Sequence, residues 1–525
     1  MPGVLLPPEL LNHIFWYVSG QKGVLRVRGR YFDPLLNITH VCHAWREVAL
    51  ASAALWTTID LVRPHSAKKY LERSKQLPIS IIARDKALLR SDVREAVLEL
   101  ALREASRIRE IILQETPSNR PVHYQHVKWC ISNIQASTTP DLRHLHISFD
   151  RLQWVVSGPL FQGNPASLQI LWLKNCPIDW PWLTRMINLT QVTLEFNPGS
   201  SVNYGINDIL DALSRMPQLR ELNIYFINVI GIVSIFPTEV ALPNLEQLNL
   251  TIASKGCLPF IDSLLLPPRT TVNLCFPTPR PREDEDISRL KSTLLRHYSR
   301  QNDHTRSTPP FRGLYISNRA LDSNLVEFSA FHHGSDASRG STKLSAFRLT
   351  FALPGSTSIR GWLEWMLSEL PFQDVDTVAV EGKPDSFGED DFGFLHHPNV
   401  RPCNVVLIGS AVRLFSDAIG AHGSSQDNFL LIHLPALTRL DIVRADLKSP
   451  SQYGPAAADR LVCGLNRIKQ ERLAAGRPLP ISIHATECKI DRATALKLDV
   501  EIHDRDSMMM NQQRQSPRLR QRAGG

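Results

Sequence analysis

Apolar residues recur at three different spacings along the chain, and each spacing predicts a different element. Near the start, Leu10, Leu11, Ile14, Phe15 and Val18 fall at helical intervals, which predicts a short helix with one apolar face. Pro7 and Pro8 stand where a first turn needs no backbone N–H, and Glu9 follows where the helix dipole favours a negative charge. Residues 19–33 break the pattern with three glycines and four basic side chains, which predicts a loop. Ile38, Val41, Cys42, Trp45, Val48 and Ala49 then lie on one stripe and predict a second helix. The stretch ALWTTIDL closes this segment with Trp56 as a large apolar anchor and a β-prone tail.

Further on, Asp92 and Glu95 have capping-box spacing, and Val93, Ala96, Val97, Leu100 and Ala101 line one face of a predicted helix. A shorter pattern then repeats. Its clearest copy is Leu168, Leu171, Leu173, Cys176 and Ile178, with Asn175 beside the cysteine. Other copies are Leu142, Leu145 and Ile147; Leu189, Val192, Leu194 and Asn197; Leu219, Leu222 and Ile224; and Leu245, Leu248 and Leu250. Weaker copies are Ile108, Ile111 and Leu113; Leu344, Phe347 and Leu349; Val375, Val378 and Val380; and Leu437, Leu440 and Ile442. From Leu142 to Leu245 the intervals are 26, 21, 30 and 26 residues, and Pro140, Pro217, Pro243 and Pro435 each precede a copy by two. Each copy predicts one strand followed by a helix or turn. Such a unit cannot bury its apolar side alone, so units stack. The residues between the leucines then form rows on the other sheet face. One row is His146, Trp172, Thr193, Asn223 and Asn249, and the next is Ser148, Lys174, Glu195, Tyr225 and Thr251. Exposed aromatics and their charged neighbours often anchor interfaces, so Trp172, Lys174 and Tyr225 are candidate target-binding residues.

These segments carry two resemblances. LPPELLNHIF, PLLNITHVCHAWREVAL and LWTTIDL, in that order, resemble the F-box of the F-box-like proteins abundant in mushroom-forming fungi, over about residues 5–62. Residues 70–82 resemble the stretch directly after the F-box in that family. The recurring pattern is similar to the leucine-rich-repeat consensus L-x-x-L-x-L-x-x-N/C-x-L. The implied fold is α/β: an N-terminal helical F-box module followed by an irregular leucine-rich-repeat solenoid, with parallel strands on the concave face and helices or turns on the convex face. The implied organisation is an F-box at 1–62, a first repeat block at 63–276, a charged and Pro-rich insertion at 277–310, a second block and cap at 311–503, and a basic tail at 504–525. The F-box resemblance implies docking on the Skp-family linker of an SCF (Skp–cullin–F-box) ubiquitin ligase, and through it on a cullin. By position, Leu6, Pro7, Pro8, Leu10, Ile14, Val41, Cys42 and Trp45 would make that contact. Ala53 and His43 depart from the family pattern, which usually has a proline and a basic residue there.

Composition narrows the function further. With 43% hydrophobic residues in 525, there is ample apolar surface to bury. A net charge of +8 on so long a chain does not argue for a nucleic-acid partner. The arginines after Asp506 read as a solvated terminus before they read as an address signal. Eight cysteines at irregular spacing form neither a disulfide framework nor a zinc site, so no metal or cofactor is expected. The N-terminus lacks the features of a secretory signal and the most apolar stretch, 222–236, is too short to span a bilayer, so the expectation is a cytoplasmic or nuclear protein away from membranes. No P-loop, G-x-S-x-G, H-E-x-x-H or G-x-G-x-x-G motif is present. His40 with Cys42 and His43, the pair His123 and His126, the pairs His332–His333 and His396–His397, and the acidic 388–392 have superficial metal spacing but no complete ligand set. The expectation is a non-catalytic ligase adaptor whose target is a protein. The alternative is a repeat scaffold with a degenerate F-box acting outside any ligase.

Overall fold

The computed structural model describes residues 6–19, 25–27, 30–32, 34–84, 92–115, 132–133, 141–149, 165–178, 180–197, 203–230, 239–252, 257–267, 269–276, 292–295, 311–317, 325–333, 346–352, 360–370, 372–382, 392, 394–395, 397, 399–420, 434, 436–447, 457–474, 476, 480–490, 495–496, 498 and 500–502. It divides into two compact units, Met1–Pro267 and Pro268–Gly525. The boundary falls at Pro267–Pro268, and the strand Thr271–Phe276 pairs inside the second unit.

The first unit opens with α1 (Pro8–Ser19). Strands β1 (Leu25–Val27) and β2 (Arg30–Phe32) come next as an antiparallel pair in which Val27 faces Arg30. The expected loop at 19–33 therefore carries a hairpin. Only Arg28 and Gly29 separate its strands in the sequence, a short Gly-containing connection of the kind that suits a tight turn. The single helix expected over 35–50 is also two: α2 (Pro34–Thr39) and α3 (His43–Ala51). Cys42 is extended, and its sulfur accepts the Trp45 N–H at 3.5 Å, so it caps α3 instead of lying on a helical stripe. Arg46 Nε donates to the Thr39 carbonyl at 2.8 Å, satisfying the end of α2.

Leu11, Phe15, Leu35, Ile38, Ala49, Leu55 and Trp56 are buried in this module. Trp56 closes a 3-10 turn over Ala53–Trp56 and is fully buried. Its Nε1 donates to the Ala49 carbonyl at 2.9 Å. Its ring meets Tyr70 edge-on at 4.8 Å, and the Arg73 guanidinium lies 4.6 Å above it. Tyr70 and Arg73 belong to α4 (Pro64–Arg73), so this one side chain joins the helical module to the next element.

The sheet begins inside the helical module's own tail. Strand β3 (Thr58–Asp60) pairs in parallel with β4 (Ile79–Arg84), and the ladder continues through β5 (Ile108–Gln114), β6 (His144–Ser148), β7 (Ile170–Lys174) and β8 (Gln191–Glu195). Past β9 (Asn203–Gly205), which pairs with the far end of the next strand, it reaches β10 (Glu221–Ile230). It continues past β11 (Val240–Ala241) to β12 (Gln247–Ile252). Helices α5 (Asp92–Arg103), α6 (Trp180–Leu183), α7 (Ile206–Ser214) and α8 (Cys257–Asp262) punctuate the connections, and β13 (Leu264–Leu265) pairs with β11.

The apolar period fixes the register. Ile111, Leu145, Leu171, Val192, Leu222 and Leu248 align across six strands, as do Leu113, Ile147, Leu173, Leu194, Ile224 and Leu250, and all are buried. A one-residue slip would turn both rows outward. Asn175 adds a second lock. It holds a left-handed backbone (φ 53°), its Nδ2 donates to the Phe149 carbonyl, and its Oδ1 accepts the Asn197 N–H at 2.8 Å. Three successive units thus meet at one side chain.

The second unit contains β14 (Thr271–Phe276), β15 (Gly313–Ser317), β16 (Leu325–Phe331), β17 (Phe347–Ala352), α9 (Arg360–Glu369), β18 (Thr377–Gly382), β19 (Asn404–Gly409), α10 (Ala411–Gly420), β20 (Arg439–Val443), α11 (Ala457–Ala474), β21 (Ser482–Thr486) and β22 (Val500–Ile502). The spatial order is β14-β17-β16-β15-β18-β19-β20-β21-β22. Strand β16 runs antiparallel to both neighbours, so the all-parallel expectation fails here. Only residues 318–324 separate it from β15, too short for the crossover a parallel pair needs. In this unit both sheet faces are apolar near the centre. Leu314, Val378, Val405 and Leu440 are buried on one, and Tyr315, Ala379, Val406 and Ile408 cluster with Phe331 on the other. Of the insertion at 277–310, residues 292–295 are helical and the rest lies outside the described residues, as do Leu344 and the basic tail.

Candidate functional site

Helix α1 presents two stripes. Leu11 and Phe15, four apart, point into the module. Leu10 and Ile14, also four apart, point outward and are 52% and 41% exposed, and Leu6, just before the helix, is 40% exposed. Pro7 and Pro8 are exposed beside them, as are Val41 and Cys42 in the turn between α2 and α3. The proposed docking residues therefore stand at the surface with one exception. Trp45 is half-buried, its ring 5.1 Å from Phe15, and it acts partly as core. Tyr17, 74% exposed and three residues past Ile14, extends the outward stripe. The same spacing rule could have found it in the sequence.

An outward apolar stripe is not needed for the module's own stability, because a separate inward stripe already fills its core. Exposed apolar side chains grouped in this way make a candidate interaction surface. Cys42 contributes a cap rather than apolar area there, since its sulfur is engaged by the start of α3.

The second candidate surface is the polar face of the first unit's sheet. His146, Trp172, Thr193, Asn223 and Asn249 stand in register across β6, β7, β8, β10 and β12. Ser148, Lys174, Glu195, Tyr225 and Thr251 form the adjacent row. Both rows are those expected from the leucine spacing. Trp172 is 39% exposed and stacks on His146 at 4.4 Å with the rings 6° from parallel. Asn223 Nδ2 donates to Thr193 Oγ1 at 3.0 Å, and Asn249 Nδ2 donates to Asn223 Oδ1. Lys174 pairs with Glu195 at 3.1 Å. Ser148, Thr193, Asn223 and Thr251 of these rows are buried, and the aromatic and amide groups are held by one another.

Groups with catalytic potential are arranged otherwise. Ser368 Oγ and His397 Nε2 lie 3.0 Å apart in the second unit, as in a nucleophile–base pair. The Asn399 N–H, however, points to His397 Nδ1 at 3.3 Å, which makes Nε2 the protonated nitrogen and the donor to Ser368. The Ser368 hydroxyl in turn donates to the Glu364 carbonyl at 2.7 Å. This chain of bonds runs away from a serine nucleophile and closes the end of α9. His332 stacks on Phe311 at 5.5 Å, and His43 lies 3.9 Å from Glu47. His123, His126, His396 and residues 388–391 lie outside the described residues. Among the described residues no group of three or more His, Cys, Asp or Glu could hold a metal, and no helix is long and apolar enough to cross a membrane. Burial alone pushes the Cys176 thiol well above its ordinary range, and burial is the main cause of the upward shifts of Cys403 and Cys488.

The family model described as F-box-like matches residues 4–62. The chain thus carries an F-box-like domain that spans α1 to α3, the 3-10 turn and strand β3. No curated protein matches the chain.

Proposed function

We propose that this chain is the substrate-recognition subunit of an SCF ubiquitin ligase. F-box domains generally bind Skp-type linkers, and the outward stripe of Leu6, Leu10 and Ile14 with Pro7, Pro8 and Val41 is the surface through which this one docks. Each of the two units is a stretch of leucine-rich-repeat solenoid, a reading supported by the in-register parallel strands and by Asn175 at the repeat's polar position. The polar sheet face of the first unit, with Trp172, Lys174 and Tyr225, holds a target protein. The subunit performs no chemistry itself. It brings the target to the ubiquitin-charged enzyme through linker and cullin, so its contribution is proximity. It acts in the cytoplasm or nucleus.

The observation that carries the reading is the separation of stripes on α1, one filling the module's core and the other left open. Co-purification of the full chain with a Skp-family linker tests it, beside a variant carrying Leu10→Glu and Ile14→Glu. Both sites are exposed, so the variant is expected to fold and to lose the linker. If the wild type does not retain the linker, the ligase reading falls and the chain is a repeat scaffold with a degenerate F-box.

A further inference from the structure

We infer that the rim of the first unit, where the chain turns into its parallel strands, binds an acidic segment of a partner protein that also carries aliphatic side chains. No residue of this rim belongs to the α1 stripe or to the two polar rows, and the inference does not rest on the ligase reading.

The rim is a stack of turns, one leading into each strand. The Arg143 N–H donates to the Arg109 carbonyl at 2.9 Å, the Gln169 N–H to the Arg143 carbonyl at 2.8 Å, and the Thr190 N–H to the Gln169 carbonyl at 2.8 Å. Asn188 Nδ2 ties the turn before β8 to the Ala166 carbonyl in the turn before β7 at 2.6 Å. At the other end, buried Arg107 donates to Ser74 Oγ and to the Leu77 carbonyl, each at 2.9 Å, and fixes the turns before β4 and β5 to each other. The turns from β4 to β8 therefore form one continuous surface, about 19 Å long at the usual strand spacing.

Its charge is one-sided. Lys75, Arg109, Arg143 and Arg185 are exposed there, and among the described residues none of them pairs with a carboxylate. Glu104 is already matched by Arg107 at 3.2 Å, which leaves Asp141 as the one unmatched carboxylate on the described turns. Four free cations against one free anion attract a negative partner along the rim, and three of them are guanidiniums that can take a carboxylate in bidentate fashion.

The rest of the rim decides between kinds of anion. Leu77 and Ile187, 38% and 50% exposed, stand two residues past Lys75 and Arg185, toward the two ends. A single-stranded nucleic acid stacks its bases on aromatic side chains. The large exposed aromatics of the described residues are Trp16, Tyr17 and Trp172, and none lies on these turns. Leu77 and Ile187 instead suit the leucines, isoleucines or valines of a peptide. The cations do not fall on one line: Arg109 opens β5 and Arg143 directly precedes β6, whereas Lys75 and Arg185 stand earlier in their turns. The segment therefore needs several carboxylates rather than one fixed spacing of them, and about six extended residues cover the length.

The test is fluorescence anisotropy of a fluorescein-labelled twelve-residue peptide repeating Glu-Glu-Leu, titrated with the full chain. The variant Arg109→Gln, Arg143→Gln should bind it about three- to tenfold more weakly, and raising salt from about 50 mM to about 200 mM should weaken wild-type binding. The charge-matched variant Arg401→Gln, Lys469→Gln removes two exposed cations of the second unit and should bind as the wild type does. All four side chains are exposed, and urea midpoints equal to wild type check that folding is kept. Single-stranded DNA of twelve nucleotides should bind more weakly than the peptide. The inference is overturned by no peptide binding at the lower salt, by equal affinities for wild type and Arg109→Gln, Arg143→Gln, by equal losses in the two charge-matched variants, or by DNA binding as tightly as the peptide. Linker co-purification from the same preparation reports on the adaptor reading separately, so the two can fail independently.

Discussion

Two adjacent residues of α1 make opposite predictions. Leu10 is 52% exposed and Leu11 is 3% exposed. With Ile14 and Val41, Leu10 offers a linker about one and a half side chains' worth of uncovered apolar surface, or about 2–4.5 kcal/mol if wholly buried on docking. The triple variant Leu10→Ala, Ile14→Ala, Val41→Ala keeps each Cβ, which reduces the expected loss to about 2–3 kcal/mol, roughly 30- to 150-fold in Kd. Its folding stability should stay within about 0.5 kcal/mol of wild type, since none of the three supports the core. Leu11→Ala should do the reverse, costing about 2–5 kcal/mol of stability through the cavity it leaves. At temperatures where Leu11→Ala remains folded, its linker affinity should be nearly unchanged. Titration calorimetry with the linker and urea unfolding of each variant measure the two quantities. The reasoning fails if the triple variant binds within threefold of wild type. It also fails if that variant is destabilised as much as Leu11→Ala.

Single contacts elsewhere set the remaining outcomes. Trp56→Ala should cost about 3–5 kcal/mol and strip hydrogen-exchange protection from α4, while Trp56→Phe, which keeps most of the ring area, should lose about 1–2 kcal/mol. Asn175→Ala removes partners from a buried carbonyl and from the Asn197 N–H and forces a left-handed alanine, so urea unfolding should show a loss of about 2–4 kcal/mol, with Asn175→Gly recovering about 1 kcal/mol of backbone strain. The thiols of Cys176, Cys403 and Cys488 are raised in the folded state above an ordinary value of 9.0. Their neutral forms are therefore favoured by folding, and the stability they contribute is full below pH 9 and falls as pH rises beyond it. Cys176→Ala should flatten that alkaline decline, read as urea midpoints between pH 8 and 10.5. Iodoacetamide should label exposed Cys42 and Cys463 well before buried Cys176.

The parallel ladder of the first unit was legible because leucine spacing fixes which residues point inward, and register follows from that. Both polar rows came out as expected for the same reason. The helix break at Cys42 was not legible. Val41 and Cys42 share the period of Ile38 and Trp45, and periodicity cannot tell an exposed residue or a cap from a core position. The β1–β2 hairpin hid behind glycines and basic residues, which suit a loop and a short exposed hairpin equally. Strand β16 was missed because apolar alternation carries no direction. The short connection before it, residues 318–324, does, through chain reach. The buried polar-side cluster around Tyr315 and Val406 depends on what covers a sheet face, which alternation within one strand does not encode.

Strand β3 lies inside the matched F-box-like segment, yet it is the first rung of the sheet. A chimera cut after residue 62 would carry away that rung and leave the backbone edge of β4, with Ile79, Ile81 and Ile82, open to other chains. It would also part Trp56 from Tyr70 and Arg73. Any exchange of the segment that follows the F-box-like domain, by recombination or by design, has to splice beyond Arg73, carrying α4 with that domain and supplying a replacement edge strand to the recipient sheet.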